Sequence, residues 1–297
     1  MKRIPLHRYA CSFSRLFSMA VLFLPIILMS STVTTAQKMK AEDVIAKHLE
    51  SLGPATARAD EKGRVAVGTA KASFKARNAV GSIDGRAVLA SLDRKAMLAL
   101  AFNSPTYTGE KFGYDGKKFT IGYVTPGRRS ALGLFILQNG EIFKEGLMGG
   151  TLTSSWPLLR LEERGAKLEY SGTDKINDKP VHKLSYQPKK GSDLNITLYF
   201  DATTFEHVRT QYDRTISSRM SGGGIDAQAR QQQTRYRLTE NFSGYKKEGD
   251  LNLPHTYTLQ LETTQTNGST LDKWEADLTQ FLFNQDIDEK GWDVEAN

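Results

Sequence analysis

The sequence predicts a mainly β protein with a few helices, an α+β domain built from antiparallel meanders. Three observations predict it. Short runs of alternating apolar and polar residues occupy 63–123 and return over 167–283. Asn, Asp, Gly and Pro turn signals separate those runs. One apolar stretch, "ALGLFILQNGEIFKEGLMGG" at 131–150, breaks the alternation. The 297 residues allow one large domain or two small ones, and the apolar fraction of 39% suffices for a sizeable core. With no fixed-period repeat and no long linker, one domain is expected.

The first 36 residues read as a secretory leader. Lys2, Arg3, Arg8 and Arg15 are basic, no acid accompanies them, and "LFSMAVLFLPIILM" (16–29) is apolar. Thr34 and Ala36 stand at the small-residue positions that a signal peptidase reads. The apolar run contains Pro25 and is shorter than the ~20 residues of a spanning helix; an uncleaved signal anchor is the rival reading. Cleavage would leave a mature domain of 37–297. The formal charge of +7 then falls to +3, from 36 basic and 33 acidic residues. That is a poor match to the clustered basic face nucleic acid requires. Cys11 is the only cysteine and lies in the leader, so the mature chain has neither disulfide nor thiolate chemistry. An exported chain without disulfides fits a bacterial periplasm better than an animal extracellular fluid. The sequons at Asn195, Asn241 and Asn267 then carry no meaning.

After the leader, "AEDVIAKHLESL" (41–52) places Val44, Ile45, His48, Leu49 and Leu52 on one helical face. Glu42 and Asp43 suit the positive end of the helix dipole, and Gly53-Pro54 stops it. His48 on that stripe reads as a packed core residue. Strands follow, with Asp115-Gly116 as a hairpin turn. In the first strand Ala66, Gly68, Ala70 and Ala72 share a face of little volume; either the 41–52 helix packs closely there or a hollow remains. Ser130 predicts a capped helix over 131–137, and Asn139 another over 140–147. Gly149-Gly150 ends the second. "SSWPLL" (154–159) predicts a third short turn, with Ser155 as cap and Pro157 in its first turn. Beyond Lys167, Leu194, Ile196, Leu198 and Phe200 alternate with polar residues. So do Tyr236, Leu238 and Phe242, and then Tyr257, Leu259 and Leu261. Such sheets have one covered face and one wet face. "SRMSGGGIDAQ" (218–228) reads as a flexible connection between two strands.

The order helix, meander, short apolar helices, meander, together with "EDVIAKHLESLGP", "YDGKKFTIG" and "LYFDATTFEHVRTQY", resembles the LolA/LolB-like periplasmic lipoprotein-sorting family. The last segment carries the closest wording: Phe200-Asp201, the turn at Thr203-Thr204, and Val208-Arg209. In layout the resemblance covers most of the mature chain. It implies a single curved, incompletely closed antiparallel β-barrel with short helices as a lid and acyl chains held between. The apolar insert at 131–159 would be that lid, with Phe135, Leu137, Ile142, Phe143, Leu147 and Trp156 as its acyl contacts. The chain departs from the family in length around 207–244. It also lacks the lipid-modified cysteine of the receptor branch, since Cys11 precedes the apolar run. The family's lid-gating arginine is not assigned to any residue.

Catalytic motifs are absent. There is no Gly-x-Ser-x-Gly elbow, no phosphate loop around Gly222–Gly224, and no calcium-loop spacing at Asp277, Asp286 and Asp288. His48, His182, His207 and His255 stand singly, without metal-ligand spacing. Arg230, Arg235 and Arg237 read as a solvated strand face. The expectation is a non-catalytic periplasmic carrier or binding protein for the acyl chains of a lipoprotein or lipid. It would need no cofactor, metal or nucleic acid, act as a monomer, and meet envelope membrane proteins. The alternative is a module of the same fold that binds a polypeptide, for example in envelope-stress regulation.

Overall fold

The computed structural model describes residues 39–76, 79–219 and 231–295. The leader and most of the glycine-rich stretch 218–228 lie outside the described residues. Those from Met39 onward belong to one compact unit.

Helix α1 spans Ala41–Leu52, with Val44, His48 and Leu52 buried. The Asp43 carboxylate accepts the Lys40 N–H at 3.0 Å, tying off the first turn. Gly53 ends it at φ 137°, where a Cβ would lie 2.5 Å from the Asp250 carbonyl oxygen. A short α2, Ala55–Asp60, follows Pro54 and went unanticipated. It has no buried residue and hence no apolar stripe to read.

Five strands follow: β1 (Gly63–Ala76), β2 (Ala79–Leu92), β3 (Lys95–Phe102), β4 (Gly109–Tyr114) and β5 (Phe119–Ile121). The Asp115-Gly116 turn joins β4 to β5, and the Asp115 carboxylate accepts the N–H groups of Lys117 and Lys118. Seven more strands come after the insert: β6 (Lys167–Ile176), β7 (Lys179–Gln187), β8 (Asn195–Asp201), β9 (His207–Arg219), β10 (Gln231–Glu248), β11 (Leu251–Gln265) and β12 (Gly268–Phe283). All twelve form one antiparallel sheet in the order β5-β4-β3-β2-β1-β12-β11-β10-β9-β8-β7-β6. Every hairpin neighbour pairs, and β1 pairs with β12 to join the two meanders. Among the described residues β5 and β6 do not pair, so the barrel stays open between them. This is the mainly β, incompletely closed architecture expected from the sequence.

The insert is the chain between those two free edges, and so it crosses the gap. Its helices are α3 (Ala131–Gln138), α4 (Glu141–Lys144) and α5 (Leu161–Arg164), with single 3₁₀ turns at Gly150–Leu152 and Pro157–Arg160. Ser130 caps α3 as expected, its hydroxyl accepting the Gly133 N–H at 2.8 Å. The second helix is shorter than expected, because Gly146 turns the chain at φ 75°. Asn139 does not cap it. Its amide donates to the Phe135 carbonyl, and its side-chain oxygen accepts from Arg214. Ser155 does not cap the 3₁₀ turn either, since its hydroxyl donates to the Thr153 hydroxyl at 3.0 Å. Pro157 does sit in the first turn, after Trp156.

The predicted inward faces are the buried ones: Leu194, Ile196, Leu198 and Phe200; Leu238 and Phe242; Tyr257, Leu259 and Leu261. Tyr236, expected beside Leu238, is only half-buried against that core. Ala66, Ala70 and Ala72 are buried in the same core. The α1 helix packs mainly on β11, β6 and the 157–160 turn rather than over these alanines. At Gly68 the β1–β12 register shifts, and a Cβ there would lie 1.9 Å from the Asp277 carbonyl oxygen.

Candidate functional site

Sheet curvature leaves an interior between the inner strand faces and the insert. Five of the six expected contacts reach it. Phe135, Ile142, Phe143, Leu147 and Trp156 are buried, whereas Leu137 points outward at 47% exposure, as does Leu134 at 50%. The inward residues meet the sheet at specific points. Phe143 stacks on Phe119 with ring centroids 5.0 Å apart and lies 5.7 Å from Phe112. Phe135 sits 5.7 Å from Tyr236 of β10. Insert side chains thus fill the interior. Dispersion and apolar burial hold them there, at about 1.5–3 kcal/mol for each such side chain.

Polar ties fix the insert's backbone at intervals. Arg64 of β1, itself paired with Glu61, donates to the Thr151 carbonyl at 2.6 Å. The Ser91 hydroxyl of β2 accepts the Ser154 N–H at 2.8 Å. Arg164 donates to the Ser155 and Lys144 carbonyls. From β7, the Tyr186 hydroxyl donates to Glu145 at 2.9 Å.

Two buried carboxylates make further ties. Glu240 of β10 is wholly buried and has three neutral donors: Gly149 N–H at 2.7 Å, Tyr212 OH at 2.7 Å and Tyr257 OH at 2.8 Å. Glu110 of β4 accepts Tyr107 OH at 2.7 Å and Ser130 OH at 2.9 Å. Burial raises both carboxyls to about 7, the hydrogen bonds offsetting only part of the desolvation. Sequence reading passed over both. The signal was available at Glu240, which falls between Leu238 and Phe242 on the covered face of its strand.

Two of the histidines that stand apart in sequence, His48 and His207, are brought together by the topology. His48 and His207 lie 6.2 Å apart between ring centroids, with Trp156 stacked 4.6 Å over His207. The Trp156 indole N–H donates to His48 Nε2 at 3.2 Å. His48 therefore carries its proton on Nδ1 and donates it to the Phe205 carbonyl at 3.0 Å. Burial lowers His48 to about 4 and His207 well below its usual value. Both are neutral packing groups. Among the described residues no cluster of three His, Cys, Asp or Glu is placed to hold a metal. Among the same residues no helix is long and apolar enough to cross a membrane.

No family model matches the chain, and no curated protein matches it. Solved structures do. An outer membrane lipoprotein-sorting protein domain from Vibrio parahaemolyticus is 15% identical, with a TM-score of 0.45 over 84% of this chain and 96% of that one. A DUF1329 family protein from Desulfovibrio piger is 9% identical, with a TM-score of 0.38 over 85% and 96%. A chain of the MucA/MucB complex of Pseudomonas aeruginosa is 10% identical, with a TM-score of 0.21 over 82% and 99%.

Proposed function

We propose that this protein is a periplasmic carrier or binding protein, exported by its leader and active as a monomer. It holds the acyl chains of a lipoprotein or lipid in the interior that the insert occupies here, and it catalyses no reaction. One observation carries the reading. The insert bridges the open edge of an unclosed barrel and buries Phe135, Ile142, Phe143, Leu147 and Trp156 in that barrel's interior. An acyl chain presents the same kind of surface. About fourteen methylenes at ~0.8 kcal/mol each gain roughly 11 kcal/mol gross. Five side chains at ~1.5–3 kcal/mol each would cost about 8–15 kcal/mol if fully exposed. The exchange is thus nearly balanced, and reversible loading follows if displaced insert residues cover the bound chain. Handover to a receptor then needs only an affinity gradient. Native mass spectrometry of protein taken from its own periplasm tests this. Extractable fatty-acyl material in stoichiometric amount supports the reading; ligand-free protein carrying a defined polypeptide supports the alternative.

That alternative, a module for a polypeptide partner, is favoured by the free edges of β5 and β6. The ten residues of β6 offer an unpaired backbone ladder on one side, to which an extended peptide can add.

A further inference from the structure

The two buried carboxylates stand at the two ends of one segment. Glu110 holds Ser130, the residue that starts α3, and Glu240 holds Gly149, five residues beyond α4 and directly before the Gly150–Leu152 turn. Between them lie α3 and α4, with the buried Phe135, Ile142, Phe143 and Leu147. Gly146, Gly149 and Gly150 all have positive φ at the far end, and Gly127 does so ahead of the near end. Such residues can absorb rotation without side-chain strain.

We propose that residues 131–148 form a lid latched at both ends by Glu110 and Glu240, and that ionisation of these carboxylates loosens the latches, making lid opening proton-dependent. Opening is a property of the chain itself and does not require that the ligand be acyl.

The surroundings set the sign. About Glu240 the titratable groups are Tyr212 from β9 and Tyr257 from β11, with Tyr186 from β7 beyond Tyr212. His207, neutral, lies against the neighbouring Gly150. About Glu110 they are Tyr107 and, from β12, Asp272, whose own carboxyl is raised by burial. Arg64 and Arg164 reach insert carbonyls at Thr151, Ser155 and Lys144, not these carboxylates. Among the described residues no cation is one of the groups that compensate either charge. An ionised carboxylate in the closed lid is therefore held by neutral donors alone, and opening hydrates it. The closed lid binds protons more tightly than the open one. Its stability is complete at low pH and is lost as pH rises from the ordinary carboxyl value of 4.5 to about 7. With the open carboxyl at 4.5 and the closed one near 7, the opening constant rises about 70-fold per carboxylate between pH 5 and pH 8.

Hydrogen–deuterium exchange of the 37–297 chain, read by mass spectrometry at pH 5.5 and 8 and corrected for intrinsic exchange, tests the proposal. Peptides within 131–150 should lose protection by at least tenfold at pH 8, while peptides from β8 and β11 should not. Glu110→Gln and Glu240→Gln, alone and together, should flatten that dependence and keep the lid protected at pH 8. If the glutamine variants misfold, Tyr257→Phe serves. Removing one donor raises the Glu240 carboxyl further and so enlarges the loss of protection between pH 5.5 and pH 8. Equal pH dependence in the parent and the double Gln variant overturns the proposal, as does a loss of protection shared by the whole sheet.

Discussion

Phe143→Ala measures how firmly the insert is seated. The ring is 1% exposed, stacks on Phe119 at 5.0 Å and meets Phe112 at 5.7 Å. Truncating a buried phenylalanine costs about 3–5 kcal/mol, the lost transfer energy plus the cavity left behind. Each aromatic pair adds about 0.5–1.5 kcal/mol beyond burial, which places this site toward the upper end. For a body of this size 1 kcal/mol moves the thermal midpoint by about 2–4 °C, so a fall of about 6–20 °C is expected. The assay is scanning calorimetry of the 37–297 chain without ligand. Leu137→Ala is the internal control: it lies in the same insert but is 47% exposed, and should change stability by no more than about 0.5 kcal/mol. A fall below about 2 °C for Phe143→Ala, matching Leu137→Ala, would refute the packing described and mean that the insert is loosely held even when empty. A large fall does not argue against a carrier, because a ligand can displace a well-packed side chain by burying equivalent surface.

Other outcomes follow from the polar interior. Because burial depresses His48 to about 4, the stability tied to its neutral form is complete above pH 6.5 and lost as pH falls toward 4. That amounts to roughly 3 kcal/mol at 1.36 kcal/mol per pH unit, and His48→Gln should show a shallower decline over this range in urea titrations. An identical decline would remove His48 from the explanation. Gly150→Ala would place a Cβ 2.7 Å from His207 and 2.8 Å from Phe242, at φ 46°. It should lower the midpoint and shift Trp156 emission to the red, and unchanged emission would mean the turn is not held against His207. Arg214→Met removes the donor to the buried Asn139 side-chain oxygen at 2.6 Å and should cost about 1–3 kcal/mol in chemical denaturation. A null result would show that water replaces the guanidinium.

Much of the fold was legible where local chemistry and tertiary packing agree. The bounds of α1 follow from Glu42, Asp43 and Gly53, the Ser130 cap from hydroxyl geometry, and the inward faces of β8, β10 and β11 from strict alternation. Legibility ended where a long-range contact decided the outcome. Asn139 has the right chemistry for a cap, but Arg214 and Phe135 claim its side chain. Leu137 is as apolar as its neighbours, and only the orientation of α3 across the gap turns it outward. Glu110 and Glu240 were passed over because residue type outweighed position; Glu240 is enclosed by tyrosines from β9 and β11, and Glu110 by Tyr107 from the loop before its own strand and by Ser130 of the insert. The β1–β12 pairing that joins the meanders links residues 200 positions apart and leaves no local trace.

Titration of the 37–297 chain with a fluorescent fatty-acyl probe, followed by both probe emission and Trp156 emission and repeated under hydrogen–deuterium exchange, tests the carrier reading most directly. Saturable binding is predicted, with a Trp156 shift that tracks occupancy and a loss of protection in 131–148 as the probe takes the place of Phe135, Ile142, Phe143 and Leu147. No saturable binding, or binding that leaves both Trp156 and the exchange of 131–148 unchanged, would contradict it.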